Sequence, residues 1–185
     1  MAPGTDIIST RSRATTNTGW GVVTANTNYL YMGGTSMATP LTSGAAALAR
    51  QWLVEKAGIT NPSAALLKAL LINGARDMTP GQYGTGSYQE ITARPDRSQG
   101  FGHIDLYRTL KPATNLFLDL YDTNSLITGQ TNTFALTVTT TSTNRFILTM
   151  TYADYWGTAG SGKQLVNDLD LTVVSPSGTT NFPNG

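Results

Sequence analysis

The sequence predicts two architectures in series: an α/β segment over residues 1–112, with two main helices and short strands, then an antiparallel β-sandwich over residues 113–185. Residues 36 to about 53 have the Ala, Leu and Gln content of a helix. Residues 63 to 73 place Leu66, Leu67, Leu70 and Leu71 on one helical face. From Leu116 the apolar period drops from helical to two, with turn residues between the alternating runs.

Each element follows from its residues. Ile7-Ile8 and Gly21-Val22-Val23 read as strand pieces, and 25–36 as a polar hairpin rising into Ser36. In the first helix Ala38, Ser43, Gly44, Ala45, Ala46 and Ala47 keep one flank narrow, which implies close packing. Pro40 is expected to crowd the Ser36 carbonyl and disturb the first turn. It is either a tolerated early proline or a device that fixes the backbone of Ser36. Asn61-Pro62 supplies a cap and a first-turn proline for the second helix, and Gly74 a stop. Residues 77–100, rich in Gly, Tyr, Arg, Gln and Pro, form a surface loop. A short helix runs from Leu106 to Leu110 and ends at Lys111-Pro112.

Alternation then takes over. Phe134, Leu136 and Val138 form one set, Phe146, Leu148, Met150 and Tyr152 a second, and Leu169, Leu171 and Val173 a third. Gly129, Asn144, the stretch 157–162 and Pro176-Ser177-Gly178 punctuate them. These are fewer than the roughly eight strands of a closed double-sheet roll, so the sandwich is expected to be incomplete. Its open edges are expected to pair with another copy, giving a homo-oligomer.

Composition narrows the function. Lys+Arg 12 against Asp+Glu 11 leaves a net charge of +1, with no basic run for nucleic acid. Cysteine is absent, which removes disulfides and thiolate metal sites and fits a secreted bacterial or archaeal parent. No apolar run is long enough to span a bilayer, so no membrane partner is expected. The start Met-Ala-Pro-Gly has neither the basic nor the apolar region of a signal peptide.

The most informative stretch is Gly34-Thr35-Ser36-Met37-Ala38-Thr39-Pro40. It sets one serine between a glycine turn and a helix start, where unpaired N–H groups and the positive dipole end favour a developing negative charge. With its flanks, from Tyr31 to Arg50, it resembles the nucleophile segment of the subtilisin-like serine proteases, or subtilases. Ala2-Pro3-Gly4 resembles the family segment shortly before that serine, and Gly100-Phe101-Gly102-His103-Ile104-Asp105 resembles the strand that closes the catalytic domain. The stretch 165–176 resembles part of the jelly-roll domain that follows the catalytic domain in some alkaline subtilases.

The resemblance implies a nucleophilic role for Ser36, with its backbone N–H as one oxyanion donor, and an oxidation-sensitive place for Met37. It also implies an aspartate and a histidine well before the serine. The residues preceding Ser36 contain no histidine, so the chain is expected to be the C-terminal piece of such an enzyme. A serine hydroxyl needs an adjacent base. His103, the sole histidine, has two readings: a position on the closing strand far from the serine, or a substitute base oriented by a carboxylate such as Asp105. Lys56 and Lys68 are weaker bases. Asp168 and Asp170, two apart on an expected strand, place both carboxylates on one face, either as a solvated surface or as ligands of a structural calcium. Asp154, Asp119 and Asp122 are weaker calcium candidates.

The expected function is a subtilase-type serine hydrolase whose parent is a secreted endopeptidase. This chain alone is expected to show at most weak hydrolysis of short acyl esters, with a peptide or small ester as substrate and no cofactor needed for the chemistry. The competing expectation is a non-catalytic folded remnant that self-associates.

Overall fold

The computed structural model describes residues 1–111, 117–122, 125–138 and 146–183. The expected domain boundary at 112/113, with Pro112, Leu116 and Asn144, lies outside them. β-branched Ile7–Thr10 forms strand β1 and aromatic Tyr29–Met32 forms β2. They pair antiparallel with Ile7 opposite Met32 and Thr10 opposite Tyr29. Along the other side of β2 lies the segment 20–23: Trp20 N–H donates to Tyr31 O at 2.8 Å, Tyr31 N–H to Gly21 O at 2.8 Å, and Val22 bridges Leu30. The strand expected at Gly21-Val22-Val23 is thus an edge against β2.

Helix α1 spans Thr35–Glu55. Ala45, Ala49 and Leu53, each one turn apart, are its buried stripe. Helix α2 spans Ala64–Asn73 and buries Leu66 and Leu70. Its cap is Ser63, whose Oγ accepts from Leu66 N–H at 3.0 Å, and not Asn61 as the sequence suggested. Pro62 is buried ahead of the cap. Ala49, Leu53, Leu66 and Leu70 form the core, with Trp52, Ile59, Leu67, Leu71, Leu110, Leu118 and Leu120 packed around it. Of the small residues expected to pack closely, Ala45 is buried and Ala38 and Ala46 are half-buried, whereas Ser43, Gly44 and Ala47 are exposed and a Cβ on Gly44 would meet open space.

Helix α3 spans Leu106–Leu110. It meets the end of α2 where Gly74 faces Thr109: a Cβ on Gly74 would fall 2.1 Å from the Thr109 hydroxyl oxygen. Gly74 therefore ends α2 as a close-packing residue, with an ordinary φ of −81°.

Beyond residue 116 the chain docks on this helix pair. Asp122 accepts from Ser63 N–H at 2.8 Å and from Ser63 Oγ at 2.5 Å. Asn73 Nδ2 donates to Ile147 O and Thr149 Oγ1, and Thr151 Oγ1 to Ala65 O. Among the described residues of this half, the paired strands are β3, Val173–Val174, and β4, Thr180–Asn181. The expected sandwich is not assembled there. Phe134, Leu136, Val138, Phe146, Leu148 and Met150 all stay exposed. Alternation specifies a strand only where partner strands and a facing layer cover its apolar side, and those contacts are non-local.

Candidate functional site

Strand β2 runs through Gly33-Gly34 straight into α1, so the site is a strand-to-helix turn. Gly34 is the helix N-cap at φ 140°, a conformation that side-chain-bearing residues rarely adopt. Its N–H donates to Gly4 O at 2.6 Å, and a Cβ on Gly4 would sit 2.9 Å from Gly34 O. Ala2-Pro3-Gly4 therefore lies directly against the turn.

The Gly34 carbonyl accepts from Met37 N–H at 3.0 Å and from Ala38 N–H at 3.3 Å. The N–H groups of Thr35 and Ser36 donate to no acceptor among the described residues. No side chain caps this helix, and no acidic residue lies in its first turn. Two unmet amides and the dipole of a 21-residue helix thus face the solvent beside an exposed Ser36. That arrangement favours an anion within reach of the serine hydroxyl.

Pro40 does not break α1. It brings no N–H to the Ser36 carbonyl, and the disturbance expected from the sequence is confined to that missing bond. Nearby hydroxyls reinforce the turn: Thr39 Oγ1 donates to Thr35 O at 2.8 Å and Thr42 Oγ1 to Ala38 O at 3.0 Å.

Among the described residues no hydrogen bond links Ser36 to the other candidates. His103 is half-buried and exchanges two backbone hydrogen bonds of 2.8 Å with Arg76, just past the end of α2. No hydrogen bond among the described residues joins its ring to Ser36 or Asp105. The Asp105 carboxylate instead caps α3, accepting from Arg108 N–H at 3.0 Å.

Asp168 and Asp170 precede β3 and lie outside the paired strands, both exposed and alternating with half-buried Leu169 and Leu171. Asp168 pairs with Lys163 at 3.6 Å on the surface. Among the described residues no group of three or more His, Asp or Glu side chains gathers as a metal site. Asp154 is engaged elsewhere. Its carboxylate accepts from Val166 N–H, from the Asn167 side chain and N–H, and from Tyr155 N–H, which together lower its pKa.

Two ordered residues escaped the sequence reading. Gln99 is 1% exposed inside the loop 77–100. Its Nε2 donates to Asp77 Oδ1 at 2.9 Å and Ala93 O at 2.8 Å, and its Oε1 accepts from Met78 N–H at 2.9 Å. Hydrogen bonds from Thr79 N–H, the Gln99 side chain and the Thr79 hydroxyl hold the Asp77 carboxyl at about 2. Trp20 is the other: it sits over Gly33, with no signal in the sequence beyond its flanking glycines.

Comparison with known proteins decides the family. The family model described as Peptidase S8, Subtilase family, matches residues 1–102, more than half of the chain. The chain belongs to the subtilase family. The match contains Ser36 and its turn and ends before His103. The Serine protease/ABC transporter B family protein tagD of Dictyostelium discoideum is 27% identical to this subtilase chain over 223 aligned residues. That alignment covers 95% of this chain and 12% of the relative, so the chain spans a small part of the relative's length. Both findings support a serine-peptidase type of hydrolase.

Proposed function

We propose that Ser36 is the acyl-accepting nucleophile of a subtilase-type endopeptidase, and that its proton acceptor comes from residues outside this sequence. The observation that carries this reading is the exposed Ser36 beside the unmet N–H groups of Thr35 and Ser36, within the family match. The Ser36 Oγ attacks a carbonyl carbon as its proton passes to a base. The carbonyl π electrons move onto oxygen, and the Ser36 N–H faces that oxyanion. The tetrahedral intermediate collapses, the bond to the leaving group breaks, and water later cleaves the acyl-serine ester.

A positioned base contributes about 10²–10⁴ in rate. Removing a triad member leaves about 10³–10⁴ over water, a figure that comes from family members and not from this chain. Peptide bonds are too inert to turn over at that level, whereas activated esters are not. This chain alone therefore hydrolyses p-nitrophenyl acetate slowly and does not cleave protein. In the assay Ser36→Ala reduces the rate to background and His103→Ala leaves it unchanged. Rates equal to wild type in both variants would remove the catalytic reading. Loss in both would instead make His103 the base.

A second reading, a self-associating non-catalytic module, is favoured by an open cleft of about 680 Å³ between α1, α2 and residues 98–104. Thr42, Ala46, Leu67, Leu71, Phe101 and Ile104 line it, and Ser36 does not. Sedimentation over a range of concentrations tests it, since a monomer throughout excludes self-association. Export of the parent and a structural calcium in the second half complete the proposal. A calcium-dependent rise in melting temperature would support the latter, and Asp168→Asn with Asp170→Asn would abolish it.

A further inference from the structure

We propose that Trp20 is a specificity-determining wall beside Ser36, selecting substrates with an aromatic group next to the scissile bond. The inference rests on the Ser36 reading and extends it to a substrate class.

The indole sits on Gly33. A Cβ built on Gly33 would lie 1.8 Å from Cη2, 2.2 Å from Cζ3 and 2.5 Å from Cζ2, so the six-membered ring covers the space a side chain would take. Gly33 is three residues from Ser36, a Cα separation of at most about 11 Å. The ring therefore covers a residue three positions before the nucleophile.

The ring is also held there. Hydrogen bonds of 2.8 Å on either side of Trp20, to and from Tyr31, fix its backbone to β2. Behind it Gly19 packs so closely that a Cβ would meet the Met32 sulfur at 2.6 Å and Tyr31 O at 2.7 Å. Asn17 Oδ1 holds the Gly19 N–H at 2.8 Å. Yet 58% of Trp20 remains exposed. The outer end of the six-membered ring is seated on Gly33 and much of the rest of the side chain is open to water. A rigid aromatic surface of this kind stacks on another ring at little entropic cost.

Two measurements test this on the chain as it stands. The first is labelling of Ser36 by sulfonyl fluorides, read by intact mass. In that reaction the Ser36 Oγ–S bond forms, the S–F bond breaks, fluoride leaves and the hydroxyl proton goes to solvent. Phenylmethanesulfonyl fluoride is expected to label faster than methanesulfonyl fluoride, beyond their ratio with a free serine derivative. Trp20→Ala lowers that excess about three- to tenfold and Trp20→Phe keeps most of it. The second is titration with unreactive phenylmethanesulfonamide, followed by NMR at the Trp20 indole N–H and the Gly33 and Gly34 amides. Shifts that vanish in Trp20→Ala support the wall even if Ser36 resists labelling, an outcome that would overturn only the nucleophile. Labelling of Ser36 with no aromatic excess and no shifts would overturn the wall and leave the nucleophile standing. Neither labelling nor shifts would overturn both.

Discussion

Leu53 and Leu136 are the same residue in two settings. Leu53 is fully buried between α1 and α2, whereas Leu136 is 41% exposed. Gln99 and Gln164 make a parallel pair. Gln99 Nε2 donates to the Ala93 carbonyl and the Asp77 carboxylate, and Gln164 Nε2 to the Thr158 and Ser161 carbonyls, but Gln99 is buried and Gln164 is exposed. The first region closes its own core with local helices. The second holds its best apolar side chains open and touches the rest through the contacts of 117–122 and 146–152 with α2. Burial, more than residue type, decides what a side chain contributes.

The comparison can be broken in order of effect. Ser36→Ala should remove essentially all hydrolysis of an activated ester while leaving the melting curve in place, since the side chain is exposed and carries no structural hydrogen bond. Leu53→Ala should destabilise by about 2–5 kcal/mol in denaturant titration, because the core cannot collapse around the missing atoms. Leu136→Ala should change stability by less than about 0.5 kcal/mol. Equal effects at the two leucines would mean that the second half is covered in solution by a partner or a second copy.

Gln99→Leu should cost about 1 kcal/mol, since it removes the buried Gln99 hydrogen bonds to Met78 N–H, Ala93 O and Asp77. The matching Gln164→Leu should be close to neutral. The last effect concerns pH. The Asp77 carboxyl is at about 2 in the folded chain against an ordinary value of 3.8. Ionised Asp77 therefore favours the folded state above 3.8, and that contribution is lost as pH falls through about 2. Asp77→Asn should flatten this part of the stability profile between about pH 2 and 4 and leave the neutral range little changed in slope.

The helix pair was legible because its information is local. The helical composition of α1, the Leu66-Leu67-Leu70-Leu71 face and the Leu106–Leu110 turn each sit within one window of sequence. The Ser36 turn was legible for the same reason: glycines, nucleophile and helix start are contiguous. What was not legible depends on distant partners. The sequence offers Asp105 as an orienter of His103, and its Oδ1 also accepts from Arg108 N–H at the start of α3, a cap the sequence did not announce. Asn61 looked like the cap until Ser63 took the place. Asp168 and Asp170 keep the expected alternating exposure with Leu169 and Leu171, but the paired strand begins only at Val173. Gln99 has no signature, since only the folded loop defines what it must satisfy. The alternation of Phe134, Leu136 and Val138 records a preference that the surrounding structure does not use.

The Ser63–Asp122 contact has a bearing on how this chain is made. Its two ends are 59 positions apart. A nascent chain leaving the ribosome at about 5–20 residues per second would expose the first turn of α2 for roughly 3–12 seconds before that carboxylate emerged. During that interval the opening of the helix is anchored by the Ser63 hydroxyl alone, and synthesis order leaves a brief window in which a chaperone or a protease could reach it.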